Sequence, residues 1–166
     1  MNCDYLIETL NNPKLKKRKN KHLNRFAEDL GRAIMTRYPG GQLFTEKKVQ
    51  VTEGYSKKID LGFISPQNIT HYIELKSMGS SFGNNVNNRI EEATGQAYLL
   101  SKKSNFSYIF ILSGDYKDSH YNKLKSVMKM LKDEKKILHN FALIGVGADS
   151  VLHDAEYSIK NLVEGL

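Results

Sequence analysis

The sequence predicts an α/β (α+β) domain, with one mixed five-stranded sheet that contains an antiparallel three-strand meander and is flanked by helices. Three observations predict it. Three segments of strand-like alternation, Leu43–Thr52, Lys58–Ile64 and Thr70–Lys76, follow one another through short turns. A strongly apolar run, Phe106–Leu112, lies between two helical patterns and reads as an internal strand parallel to a neighbour. The chain has 166 residues, 40% of them hydrophobic, which suits one domain with a real core.

In chain order, a short helix is expected near Asp4–Leu10, broken by Asn11-Asn12-Pro13. A second runs from about Lys16 to Tyr38, with Leu23, Phe26, Ala27, Leu30 and Ile34 as its apolar stripe, and Pro39-Gly40-Gly41 ends it. In the second strand Ile59, Leu61 and Phe63 are expected on one face and Asp60 on the other. In the third, Tyr72, Glu74 and Lys76 share one face, and Ile73 and Leu75 the opposite one. Ser77–Asn88 reads as a polar, mobile loop. Helices follow at Arg89–Lys103 and Ser119–Lys136, a fifth strand at Ile137–Val146, and a last helix at about Ala155–Val163. The expected order is ααβββαβαβα, in one domain over 1–166: a basic extension at 1–21, a core at about 22–147 and the C-terminal helix.

Composition narrows the class. There is no run of 18 apolar residues and no basic segment leading into an apolar one at the N-terminus, so neither a membrane span nor a secretory signal is expected. The single cysteine, Cys3, excludes a disulfide framework within one chain, and the expected compartment is a reducing cytoplasm. Neither Ser113-Gly114-Asp115 nor Gly145-Val146-Gly147 forms a nucleotide-binding glycine loop, the five histidines lack zinc spacing, and no small-molecule cofactor is expected. The formal net charge is +7, and residues 1–50 carry eleven Lys/Arg against five Asp/Glu. The excess centres on Lys14, Lys16, Lys17, Arg18, Lys19 and Lys21. Such a run is either a solvated, solubilising segment or a surface neutralised by a polyanion, of which nucleic-acid phosphate is the usual one.

Polar residues interrupt the apolar strands at Asp60, Glu74 and Lys76. A buried charge is costly unless it is paired or bound to a metal. A short hairpin brings Asp60 beside Glu74; two carboxylates held together repel, and a divalent cation with a preference for oxygen ligands, Mg²⁺ or Mn²⁺, resolves that repulsion. Lys76 then stands beside an activated water or beside charge that builds on phosphorus. The competing reading is a structural ion pair at a solvated sheet edge, Glu74 with Lys76 or Asp60 with Lys58.

Asp60, then thirteen intervening residues, then Glu74-Leu75-Lys76 resembles the motif of the PD-(D/E)XK nuclease superfamily, and the order from the second helix through the Phe106 strand is similar to that family's αβββαβ core. The resemblance covers roughly residues 22–115, and Ile59 stands where the motif has Pro. It implies that Asp60, Glu74 and the Leu75 carbonyl bind the metal and that Lys76 is the catalytic lysine. It also implies a Glu from the first core helix, here Glu28, and a Gln from the helix after the motif, here Gln96. The Gln96–Tyr98 spacing is shorter than the Gln-x-x-x-Tyr of exonuclease-type members.

The expected activity is metal-dependent cleavage of DNA to 5′-phosphate and 3′-hydroxyl ends, by a homodimeric restriction-type enzyme. Lys14–Lys21 and Arg25 would hold backbone phosphates. Asn84, Asn85, Asn87 and Arg89, in or beside the expected loop, would face the DNA. The alternatives are a junction resolvase, a binding module of the same fold without chemistry, and a structural domain that binds no nucleic acid.

Overall fold

A computed structural model describes residues 21–79, 82–114, 116–146, 151–153 and 158–166. Helix α1 (Lys21–Arg37) leads into strands β1 (Gln42–Thr52), β2 (Tyr55–Ile64) and β3 (Thr70–Met78). Then come α2 (Phe82–Leu100), β4 (Asn105–Ser113), α3 (Asp118–Lys129), β5 (Asn140–Val146), β6 (Val151–His153) and α4 (Ile159–Glu164). The expected helix near Asp4–Leu10 lies outside the described residues. Among those described, no helix is long and apolar enough to cross a membrane.

The strands form one sheet in the order β1-β2-β3-β4-β5-β6. β1, β2 and β3 make the expected antiparallel meander, and β4 lies parallel to both β3 and β5, as its apolar sequence suggested. The expected five strands are present, and a short sixth, β6, pairs antiparallel with β5. The sheet is covered on both faces. Val86, Ala93, Ala97 and Leu100 of α2, with Leu124 and Met128 of α3, pack against Tyr72, Phe106, Tyr108 and Phe110. Phe26, Leu30 and Ile34 of α1, with Ile159 and Leu162 of α4, pack against Leu61, Phe63, Ile73 and Ile109.

Local chemistry fixes the meander. The β1–β2 hairpin turns at Glu53-Gly54, where Gly54 has φ +75°, a value that glycine adopts without steric cost. Gly62 is required for a different reason: a Cβ there would lie 2.0 Å from the Phe44 ring, so the bare backbone of β2 forms the floor on which Phe44 rests.

Three sequence expectations need correction. The Ser77–Asn88 segment is not a loop throughout, because α2 begins at Phe82. Gly83 and the four asparagines at 84, 85, 87 and 88 are weak helix formers, but Val86 is buried in line with Ala93, Ala97 and Leu100, and that packing outweighs local propensity. Second, Ile59 does not share a face with Leu61 and Phe63: it packs with Tyr72 and Tyr108, whereas they pack against α1. Third, the helix from Ser119 does not continue to Lys136. It closes in a π turn over Met130–Glu134, with the Lys135 N–H donating to the Met130 carbonyl at 3.0 Å, and β5 starts only at Asn140.

Candidate active site

The site forms where β2 and β3 part. Their ladder runs from Ile64–Thr70 to Leu61–Ile73 and goes no further, one residue short of Asp60 and Glu74. β1 is irregular at the same level: its pairing with β2 runs through Thr45–Leu61 and Lys47–Ile59, skipping Glu46 and Asp60, and Glu46 has φ +52°. The parting leaves β3 backbone groups without a β2 partner, and Asp60 compensates: its Oδ2 accepts the Leu75 N–H at 2.9 Å. This places the Asp60 carboxylate against the Glu74-Leu75-Lys76 backbone. Asp60 and Leu75 line one cavity together with Leu23, Asn24, Ala27 and Glu46.

Glu74 is 1% exposed. Its Oε2 receives Lys57 Nζ at 3.2 Å and Lys76 Nζ at 3.7 Å. Its Oε1 is buried and has no hydrogen-bond partner among the described residues. Burial, reinforced by the Asp60 charge and opposed by the two lysines, pushes the Glu74 carboxyl up to about 7. The two acids are therefore electrostatically coupled.

Lys76 reaches the other way as well, with Nζ 3.1 Å from Glu92 Oε1 on α2. Arg89 pairs with the second oxygen of Glu92. Gln96 Nε2 donates to Glu92 Oε1 at 3.1 Å, and the Tyr108 hydroxyl donates to Gln96 Oε1 at 3.0 Å. Burial pushes Glu92 up, but the Lys76 charge and the hydrogen bonds from Arg89 and Lys76 outweigh it, and the carboxyl stays below its ordinary range.

Asp60, Glu74, Leu75 and Lys76 thus come together, and Gln96 joins them through Glu92. Glu28 is exposed and lines an adjoining cavity with Asn24, Ala27, Thr45 and Glu46. Among the described residues no group of three or more His, Cys, Asp or Glu side chains is set to hold a metal ion. The ion-pair alternative is met in part: Glu74 does pair with Lys76, but in a buried setting, while Lys58 pairs with Glu46 at 2.9 Å. Arg25 is exposed on α1, and Lys21 begins that helix. Lys14, Lys16, Lys17, Arg18 and Lys19 lie outside the described residues. Asn84 and Asn87 are exposed on the first turns of α2, Asn85 is half-buried, Lys123 donates to Asn87, and Arg89 is committed to Glu92.

Sequence reading missed Lys57 and Glu92, and it offered Tyr108 only as a core or base-stacking residue, without its link to Gln96. The spacing of Arg89, Glu92 and Gln96, three and four residues apart on one helix, was the available signal that they act on each other. Nothing local marked Lys57 or Tyr108, which reach the site only through sheet pairing and helix packing.

The donor set has the oxygen chemistry that a hard dication prefers: two coupled carboxylates, one of them with a buried oxygen that has no partner among the described residues. The family model of restriction endonuclease XhoI matches residues 40–105, which run from just before β1 to the start of β4 and include Asp60, Glu74, Leu75, Lys76 and Gln96. No curated protein matches the chain. The mixed sheet flanked by helices is compatible with a restriction-endonuclease-like fold, and over residues 40–105 the chain is similar to the XhoI restriction endonuclease family.

Proposed function

We propose that the protein is a metal-dependent type II restriction-type endonuclease, a single catalytic domain that hydrolyses DNA phosphodiester bonds to 5′-phosphate and 3′-hydroxyl ends. The observation that carries this reading is the juxtaposition of Asp60 with Glu74-Leu75-Lys76 at the point where β2 and β3 part, with Glu74 Oε1 buried and without a partner among the described residues. Asp60, Glu74 and the Leu75 carbonyl would hold Mg²⁺ or Mn²⁺. When bound, the cation supplies Lewis acidity toward a phosphate oxygen and makes water a stronger acid.

The chain's own residues do the rest. Lys57 and Lys76 both pair with Glu74 Oε2, and this leaves Oε1, without a partner among the described residues, to meet a dication together with Asp60. Lys76, half-buried and held between Glu74 and Glu92, presents its ammonium where negative charge builds on phosphorus and orients the attacking water. The basic segment Lys14–Lys21, with Arg25, would hold backbone phosphates and set the position of the duplex without reading its sequence. Asn84 and Asn87 present amide side chains from the start of α2, where base edges can be read. Cutting both strands requires two such sites, and a homodimer related by a twofold axis supplies them.

The test is cleavage of supercoiled plasmid. With Mg²⁺ the protein nicks or linearises it, and chelation stops the reaction. Discrete fragments from linear DNA identify a sequence-specific enzyme. Cleavage confined to four-way junctions identifies a resolvase instead, and binding without cleavage under any divalent ion overturns the enzymatic reading.

A further inference from the structure

The polar chain from Tyr108 to Lys76 crosses three elements: β4, α2 and β3. Its polarity is determined by chemistry. A carboxylate only accepts hydrogen bonds, so Gln96 must turn its NH₂ toward Glu92 and its oxygen toward Tyr108, and the phenol must then donate. Flipping the Gln96 amide would set two acceptors against each other. Tyr108 anchors the far end. It is fully buried, stacks on Phe110 at 4.5 Å and meets the Phe106 ring edge-on at 5.6 Å. Arg89 holds the other Glu92 oxygen, so the carboxylate is clamped from both sides.

At the near end lies a lysine on a long flexible stem, which loses rotamer entropy when it is ordered. Glu74 alone does not fix it, because Lys57 sits closer to the same oxygen, at 3.2 Å against 3.7 Å. The shorter contact of Lys76 is to Glu92, at 3.1 Å.

We infer that Glu92, Gln96 and Tyr108 form a positioning chain that sets Lys76 over the scissile phosphate, with Glu92 as the residue that touches the lysine and Tyr108 as its rigid anchor. Gln96 accordingly works through Glu92 and not on the substrate. The inference rests on the proposed role of Lys76 in phosphodiester hydrolysis. It adds Glu92 and Tyr108 to the residues on which that reaction depends.

Two measurements test it on the full chain. Methylene NMR of the lysine side chains, assigned with Lys76→Ala, reports how ordered the Lys76 terminus is, with no metal or DNA present. In the wild type that terminus should be rigid. In Glu92→Ala and Gln96→Leu it should become mobile, and in Tyr108→Phe partly so. Plasmid nicking with Mg²⁺ should then lose about 10–100-fold in kcat with KM for DNA changed less than about twofold, the signature of a misplaced group rather than of weaker binding. Glu92→Gln, which keeps an oxygen acceptor for the lysine, should recover part of the loss. An unchanged Lys76 signal in Glu92→Ala overturns the inference. So does full kcat in Glu92→Ala beside an inactive Lys76→Ala, or a loss confined to KM. If the wild type cleaves nothing, the nuclease reading falls, and the NMR arm alone decides whether the chain positions Lys76.

Discussion

His71 and Glu74 lie three residues apart on β3, each 1% exposed and each with a buried polar atom that lacks a partner among the described residues. Their surroundings answer the same problem in opposite ways. His71 sits among rings, 5.9 Å from Phe63 and 5.4 Å from His139. Burial, with His139 beside it, lowers its pKa to about 4 and keeps it neutral. Glu74 sits among charges: two lysines hold one oxygen while Asp60 repels it. The histidine end of the strand stays neutral and packs among rings, with both ring nitrogens lacking a hydrogen-bond partner among the described residues. The glutamate end retains an electrostatic tension that a cation would relieve, and such tension is characteristic of functional sites.

The sharpest way to break this contrast is at Lys76. Replacing it by Ala should cost about 10³-fold in Mg²⁺-dependent cleavage, the upper range for losing one preorganised electrostatic group, with the melting temperature little changed. Plasmid assays checked by circular dichroism measure both, and near-wild-type cleavage would remove the site from this end of β3.

The histidine end predicts a pH effect on stability. A folded pKa of about 4, against 6.5 for the unfolded side chain, means that the neutral ring stabilises the fold above pH 6.5 and that this contribution is lost as pH falls through 6.5 toward 4. The loss approaches about 3 kcal/mol near pH 4. Urea unfolding of wild type and His71→Phe at several pH values should show a steeper acid decline in the wild type; parallel curves would mean that His71 is not the group responsible. Glu74 has the opposite sign in the metal-free protein. Its folded pKa of about 7 lies above its unfolded value, so its stabilising contribution is present at low pH and fades as pH rises through 7.

Smaller effects sharpen the comparison. Gly62→Ala drives a methyl group into the Phe44 ring beside the site, and should destabilise by about 1–3 kcal/mol, read from the urea midpoint. An unaltered midpoint would show that Phe44 swings clear. Mg²⁺ at tenfold its dissociation constant should stabilise the wild type by about 1.4 kcal/mol, and should do so neither in Asp60→Asn nor in Glu74→Gln. Equal stabilisation of all three would place the ion elsewhere.

Much of this fold was legible because its signals are local. Alternation marked β2 and β3, the turn at Glu53-Gly54 joined β1 to β2, and the apolar run at 106–112 announced a strand buried on both faces. Asp60, Glu74 and Lys76 stood out as charges inside apolar strands. The start of α2 was not legible, since Gly83 and its asparagine neighbours read as a loop, and only burial of Val86 against the sheet makes them helical. Ile59 went astray for a related reason. Strict alternation assumes a regular strand, and β2 leaves regularity at Asp60, where it parts from β3.

By itself, then, the sequence determined the order of elements from α1 to β5 and singled out the three charged residues of the candidate site, because periodicity and turn chemistry act over a few neighbouring residues. Tertiary structure alone decided that Lys57 rather than Lys58 meets Glu74, that Lys76 is shared with Glu92, and that a tyrosine on β4 anchors the far end. Those partners are separated along the chain, and only sheet pairing and the packing of α2 bring them within hydrogen-bonding reach.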